Sequence, residues 1–350
     1  MNLLSVRNVL IVRPSAMGDV IMASPVLSGL KQVLPDARLH WLIDPGLADL
    51  IQHHPALDRV IPWSKKEWSG LLRRGHLLSL AGQIFSLRRD LRHEQFDLCL
   101  DLQGLMRSRL LAALSGAERR IGFVSKEPGE WLMHEVVSKG GDNTVIGSEY
   151  LFMAETLGID PAMCRFELEP GQAARHWWRD RRNQDVGDKG YAVLAPFTTR
   201  PQKHWFEERW IELIARFEAA GQPCYVLGGS GDQEAGERLI GRQDRLFNLA
   251  GETSLAQSMA VVADAELVVG VDTGLTHLGT AFARPTVGLF GSTCPYLRTG
   301  RLTTEILYHP FDCSPCRRNP TCDGRFDCMR SLTVEEVLEA AHKAMGAVPA

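Results

Sequence analysis

The segment Leu267-Val-Val-Gly-Val-Asp-Thr-Gly-Leu-Thr-His277 decides the fold class. Its first five residues are a short apolar run of the kind that builds a strand buried on both faces. Asp272-Thr273-Gly274 then supplies turn and capping chemistry, and residues 275–283 are compatible with a helix. A helix start leaves backbone N–H groups without intrahelical acceptors, and the helix dipole adds positive potential there. Such a junction suits an anionic ligand, most often a phosphate. Taken alone it could equally be an ordinary βα turn.

Working outward, the same strand-then-turn pattern recurs. In the first half, residues 9–12, 39–43 and 98–102 are strand candidates, and a helix is predicted from Asp19 to about Leu34, stopped by Pro35. In the second half, residues 191–195, 224–227 and 286–290 join 267–271. Strands separated by helical segments mean parallel sheets of right-handed βαβ units. No internal repeat is evident. A polar stretch at 175–190 reads as a helix end plus exposed loop, a fair linker. The expectation is therefore an α/β protein with two doubly wound domains about a cleft: residues 1–175, residues 186–335, and a C-terminal helix and tail at 336–350 packing back on the first.

Bulk properties narrow the function. The chain has 350 residues, 45% hydrophobic and 23% charged, enough apolar material for two cores. A net charge of −3 gives no argument for nucleic acid. No apolar run reaches the roughly 18–20 residues needed to span a bilayer. The N-terminus has no signal-peptide layout. A cytoplasmic protein with at most peripheral membrane contact is expected.

Three further strand exits could carry chemistry. Arg13-Pro-Ser-Ala-Met-Gly-Asp19 lacks both the dinucleotide fingerprint and the P-loop lysine, but places a carboxylate where it could accept a proton from a hydroxyl, unless Asp19 is simply a helix cap. Pro196-Phe-Thr-Thr-Arg-Pro-Gln-Lys-His-Trp205 gathers hydroxyls and cations suited to phosphate oxygens, or merely a solvated loop. Gly228-Gly-Ser-Gly-Asp232 allows close approach of a ligand. Each is weak alone; their joint occurrence at strand exits is harder to obtain by accident.

At this point the sequence resembles glycosyltransferase family 9, the lipopolysaccharide heptosyltransferases. The resemblance rests on Ser15-Ala-Met-Gly-Asp19, Asp101-Leu-Gln-Gly104, the Thr198-Thr-Arg and Lys203-His-Trp205 segments, Val271-Asp-Thr-Gly-Leu-Thr-His277 and Gly291-Ser-Thr, in order along the chain. Val60-Ile-Pro62, the basic segment after it and Lys203-His-Trp205 favour the branch that adds the first heptose. The resemblance implies a GT-B fold, an ADP-heptose donor, a Kdo-bearing lipid A acceptor in the inner core, and inverting transfer without a catalytic metal or other required cofactor. It makes Asp19 the base and places Thr198, Thr199, Lys203, Glu234, Asp272, Thr273, Gly274, Leu275 and His277 on the donor side. A lone histidine such as His277 otherwise reads as a surface or capping residue rather than a catalyst. On the acceptor side it implies Ser15, Met17, Gly18, Gln103, Lys126, and Lys65, Lys66, Arg73 and Arg74.

The segment 65–92 is both basic and amphipathic, which fits a core-packed helix with a solvated face. With the resemblance it fits an interfacial patch for the anionic acceptor at the cytoplasmic face of the inner membrane. Of eight cysteines, Cys99, Cys164, Cys224 and Cys294 are scattered, whereas Cys313, Cys316, Cys322 and Cys328 have the spacing of a small knuckle. That cluster reads equally as a structural zinc or iron site or as thiols without metal. The competing functions are a later heptose transfer or another sugar within the family, a GT-B sugar-nucleotide epimerase, and a non-catalytic partner in lipopolysaccharide assembly.

Overall fold

The computed structural model describes residues 5–241, 245–293, 296–316 and 318–347. Cys294 and the tail at 348–350 lie outside these. The chain divides into two compact units. The first is Met1–Asp142 with Gly147–Glu169, and the second is Asn143–Ile146 with Pro170–Ala350.

The first unit carries β1 (Asn8–Val12), β2 (Arg38–Ile43), β3 (Arg59–Pro62), β4 (Leu98–Asp101), β5 (Arg119–Phe123) and β6 (Glu135–Val137). Its helices are α1 (Met17–Ala23), α2 (Pro25–Val33), α3 (Lys65–Arg73), α4 (Leu77–His93), α5 (Met106–Ser115) and α6 (Ser148–Thr156). The strands form one parallel sheet in the order β3-β2-β1-β4-β5-β6. This is the doubly wound order of a complete dinucleotide-binding sheet, reversing direction between β1 and β4. Leu10, Val12, Leu42, Cys99, Leu111 and Leu91 belong to one apolar cluster between sheet and helices.

The second unit carries β7 (Ala192–Ala195), β8 (Cys224–Val226), β9 (Leu246–Asn248), β10 (Leu267–Val271), β11 (Thr286–Phe290) and β12 (Thr304–Tyr308). Its helices are α7 (Gln172–Asp185), α8 (Glu207–Ala219), α9 (Gln233–Ile240), α10 (Leu255–Ala263), α11 (Gly274–Ala281), α12 (Asp327–Arg330) and α13 (Val334–Gly346). The sheet order β12-β11-β10-β7-β8-β9 repeats the first unit's topology strand for strand. The repeat absent from the sequence is thus present in the fold, because topology needs only the apolar pattern to recur. Gly270 lets β10 approach β7 closely: a Cβ there would lie 2.8 Å from that of Ala195.

Three local expectations change. The helix predicted from Asp19 is two helices, divided at Ser24, where Pro25 opens α2. The supposed linker at 175–190 is largely α7, whose Trp178 is buried and donates to the Tyr191 hydroxyl at 2.9 Å. Polar side chains, charged or neutral, at most positions hid a narrow stripe carrying Ala174 and Trp178. Finally, α13 buries Val334, Val337, Ala340 and Ala341 in the second unit's own apolar cluster, so its inner face is taken up by that sheet.

Candidate active site

Ligands of doubly wound sheets bind beyond the carboxyl ends of strands where the order reverses. In the first unit those strands are β1 and β4. Arg13, the first residue past β1, is buried like the strand before it. Its Nη1 donates to the Leu102 carbonyl beyond β4 at 2.7 Å, and its guanidinium lies 5.6 Å from the Tyr150 ring centroid. Nη2 pairs with Asp19 Oδ2 at 2.6 Å. Burial opposes the Arg13 charge, but Tyr150 and Asp19 outweigh it and raise its pKa. Asp19 sits in the first turn of α1, where Oδ2 also accepts the Ala16 N–H at 3.2 Å. Both contacts fall on one oxygen, and the side chain stays 49% accessible. The carboxylate is fixed yet open.

Around it, Ser15, Met17 and Gly18 are half-buried, and Gln103 is buried with Nε2 donating to the Ser15 carbonyl at 2.9 Å. Asp101, at the end of β4, accepts from Gln103 N at 3.0 Å, Gly104 N at 3.1 Å and Ser108 Oγ at 3.0 Å. Burial raises its pKa despite those donors. Its role is to shape the turn, which Gly104 completes at φ +70. Lys126 is exposed in the loop after β5. That loop is tied down by fully buried Arg109, which donates to the carbonyls of Phe123, Glu127 and Pro128 at 2.8–2.9 Å. Lys65 is exposed at the start of α3, and Lys66, Arg73 and Arg74 line an open groove on the same helix with Ser64 and Glu67.

In the second unit the reversal lies between β7 and β10, and their exits meet. Lys203, in a tight turn after β7, pairs with Asp272 Oδ2 at 2.5 Å, just beyond β10. Thr293 Oγ1, after β11, donates to the same oxygen at 2.6 Å, and His277 Nε2 lies 3.3 Å from Oδ1. Burial would push the Asp272 pKa up. His277 and Lys203 overcome it and hold the carboxyl well below the usual range. Thr273 caps α11 through extended backbone, without a side-chain cap bond, and Gly274 and Leu275 open the first turn with half-buried backbone. Their amides are the unsatisfied donors a phosphate would meet. The loop before Lys203 is braced by His204 Nε2 against the Thr198 carbonyl at 2.8 Å, leaving Thr199 exposed. Glu234 stands apart: its side chain is 95% exposed on α9 and its ion-pair partner is Arg238.

Sequence reading gave no role to Arg13, Arg109 or Thr293. Arg13 could have been noticed as a charge abutting the apolar run at 9–12. Thr293 and Arg109 act on partners remote in sequence, which no local signal reveals. His277, read first as a surface or capping residue, is instead buried against Asp272.

Of the two readings of the four cysteines, the metal site finds no support in the structure. Among the described residues no three His, Cys, Asp or Glu side chains form a group able to hold a metal ion. Cys328 belongs to the apolar cluster with Met329, where burial and then the neighbouring thiols of Cys313, Cys316 and Cys322 push its own thiol up to about 11, whereas Cys313 and Cys316 are half-exposed. The spacing does bring the four thiols near one another, since Cys313 and Cys322 raise the pKa of Cys316 and all three raise that of Cys328, but not into a metal-holding set.

Known proteins point the same way as this geometry. The glycosyltransferase family 9 (heptosyltransferase) pattern matches residues 84–324. Lipopolysaccharide heptosyltransferase 1 of Salmonella typhimurium is 31% identical over 83% of this chain and 90% of its own length. The Escherichia coli heptosyltransferase WaaC, solved with ADP-2-deoxy-2-fluoro heptose, is 26% identical with a TM-score of 0.72, covering 95% of this chain and 98% of that one. A family 9 glycosyltransferase from Veillonella parvula, 19% identical, has a TM-score of 0.82 with 99% of each chain covered, a likeness of fold. Two parallel six-stranded sheets with interspersed helices are the GT-B architecture. By the family pattern and this identity, the chain belongs to glycosyltransferase family 9, the heptosyltransferases.

Proposed function

We propose that this enzyme moves L-glycero-D-manno-heptose from ADP-heptose to the Kdo of a lipid A-linked acceptor, the first heptose of the lipopolysaccharide inner core. The observation that carries this reading is the pair of strand-exit sites: an open carboxylate, Asp19, in one unit, and a cation-and-amide pocket at Lys203 and the start of α11 in the other. The relatives at this level of identity are lipopolysaccharide heptosyltransferases, which favours heptose transfer over an epimerase or a non-catalytic partner.

In the reaction, Asp19 takes the proton from the acceptor hydroxyl as its oxygen bonds to the anomeric carbon of the heptose. The bond from that carbon to the β-phosphate oxygen breaks on the opposite face, inverting the centre and releasing ADP. Negative charge grows on the β-phosphate. The ammonium of Lys203 has three donors, and Asp272 takes one, so two remain for the diphosphate. The amides of Thr273, Gly274 and Leu275, with Thr198 and Thr199, complete the stabilisation. Asp272, locked by Lys203, His277 and Thr293, positions these groups and contacts the sugar rather than accepting a proton. Ser15, Met17, Gly18, Gln103, Lys126 and the α3 cations Lys65, Lys66, Arg73 and Arg74 face the acceptor's carboxylates and phosphates. Glu234, on the donor side, reaches the nucleoside ribose. The acceptor's lipid anchor places the enzyme at the cytoplasmic face of the inner membrane as a peripheral protein. No helix among the described residues is long and apolar enough to cross a membrane.

Incubation with ADP-heptose and Kdo-lipid A, followed by mass spectrometry, should show the lipid gaining one heptose. Gain only on an already heptosylated acceptor would move the enzyme to a later step.

A further inference from the structure

The hairpin formed by α3 and α4 carries an apolar surface that the fold does not use. Residues 72–79 are exposed without interruption. Within that run Leu72 is 58% exposed, Leu77 60% and Leu78 91%, and Phe85, two turns further along α4, is 68% exposed. Leu78 and Phe85 are seven residues apart, so they share one face of α4. That face continues into Arg88, Arg89 and Arg92, all exposed. The opposite face holds Leu87 and Leu91, which pack into the first unit's apolar cluster.

Only the C-terminal part of α4 is thereby anchored on the sheet. A 17-residue helix is about 25 Å long, whereas the four-residue strand that follows it spans about 13 Å. Because α4 leads back to the start of β4, its N-terminal turns overhang the carboxyl edge of the sheet, the edge that carries Asp19. Arg73 and Arg74 flank the leucines there, each tethered through Nε to a backbone carbonyl one turn back, at 3.3 and 3.2 Å. Leucine and phenylalanine in water beside arginines of which, among the described residues, Arg89 alone is ion-paired, with Asp90 next to it in the chain, form a surface complementary to an anionic lipid bilayer.

We propose that the α3–α4 tip inserts Leu72, Leu77, Leu78 and Phe85 among the headgroups of an anionic membrane while the flanking arginines hold lipid phosphates. It docks on the membrane itself, with or without acceptor, and presents the active-site edge to the lipid plane. The inference rests on the proposed acceptor being lipid-linked.

The test uses the full chain and acceptor-free vesicles of phosphatidylethanolamine with phosphatidylglycerol. Wild-type protein should co-sediment with them, less so at high salt and less on vesicles of phosphatidylethanolamine with phosphatidylcholine. L78S/F85S should partition at least about tenfold more weakly, with an unchanged melting temperature because both side chains are already exposed. Its heptose transfer to an acyl-free acceptor should equal wild type. Wild-type protein that ignores anionic vesicles, or a double variant that binds them as well as wild type, overturns the proposal. Failure of wild-type transfer to the acyl-free acceptor, with vesicle binding intact, counts instead against the assigned reaction.

Discussion

The two units share a strand order and a point of reversal, yet they treat a carboxylate–cation pair at that point in opposite ways. In the first, Asp19 and Arg13 come from one strand exit; the cation is buried and the acid is 49% accessible. In the second, Lys203 and Asp272 come from neighbouring exits and both are mostly buried, at 16% and 13% accessible. Asp272 has every oxygen engaged, whereas Asp19 is held by one. A carboxylate free at one oxygen can take a proton; one saturated by a lysine, a histidine and a threonine can only position them. The same scaffold thus yields a reactive group and a fixed one, and neighbouring side chains make the difference.

The largest test of this contrast is a pair of alanine variants. Asp19→Ala should lower turnover by about 10²–10⁴-fold while leaving ADP affinity near wild type, although it leaves buried Arg13 without its carboxylate and so costs stability as well. Asp272→Ala should instead strand Lys203 and His277, costing about 3–5 kcal/mol of stability and weakening ADP binding, as read by calorimetry. Equal losses of ADP affinity in the two variants would erase the distinction.

Acid should separate the units next. His54, buried in the first unit, has its pKa lowered to about 4 by burial. Between that value and the unfolded value of about 6.5, the unfolded chain binds the extra proton. Stability therefore falls as pH drops through this window, by up to about 3 kcal/mol. Asp272 works in a lower range: its depressed pKa stabilises the fold above the unfolded carboxylate value of about 3.9, and that contribution is lost only below it. Calorimetry of wild type and His54→Gln at pH 7 and pH 5 should show a smaller acid shift in the variant. An equal shift would mean that other groups dominate.

The smallest effect sharpens the second site. Thr293→Val keeps the shape but removes one donor from Asp272, which should cost about 1–3 kcal/mol and raise the KM for ADP-heptose more than it lowers kcat. No change in either would remove Thr293 from the network.

How much of this was legible beforehand follows from what each feature depends on. Central strands such as β10 and β11 were found because burial on both faces demands an unbroken apolar run. Strands such as β6, at a sheet edge, and β12, with Thr304 and Glu305, are shorter or more polar, and their sequences resemble loops. Asp19, Lys203 and Asp272 were visible as charged residues at strand exits. Their pairing was not.

The sequence by itself determined the α/β class, the two sheets and the family, because hydrophobic period and local turn chemistry are written residue by residue. Tertiary structure alone decided which carboxylate stays open, that His277 and Thr293 lock Asp272, and that the four cysteines, though neighbours, form no metal-holding group among the described residues. Those outcomes depend on distances between residues far apart in the chain and on burial, which only packing sets.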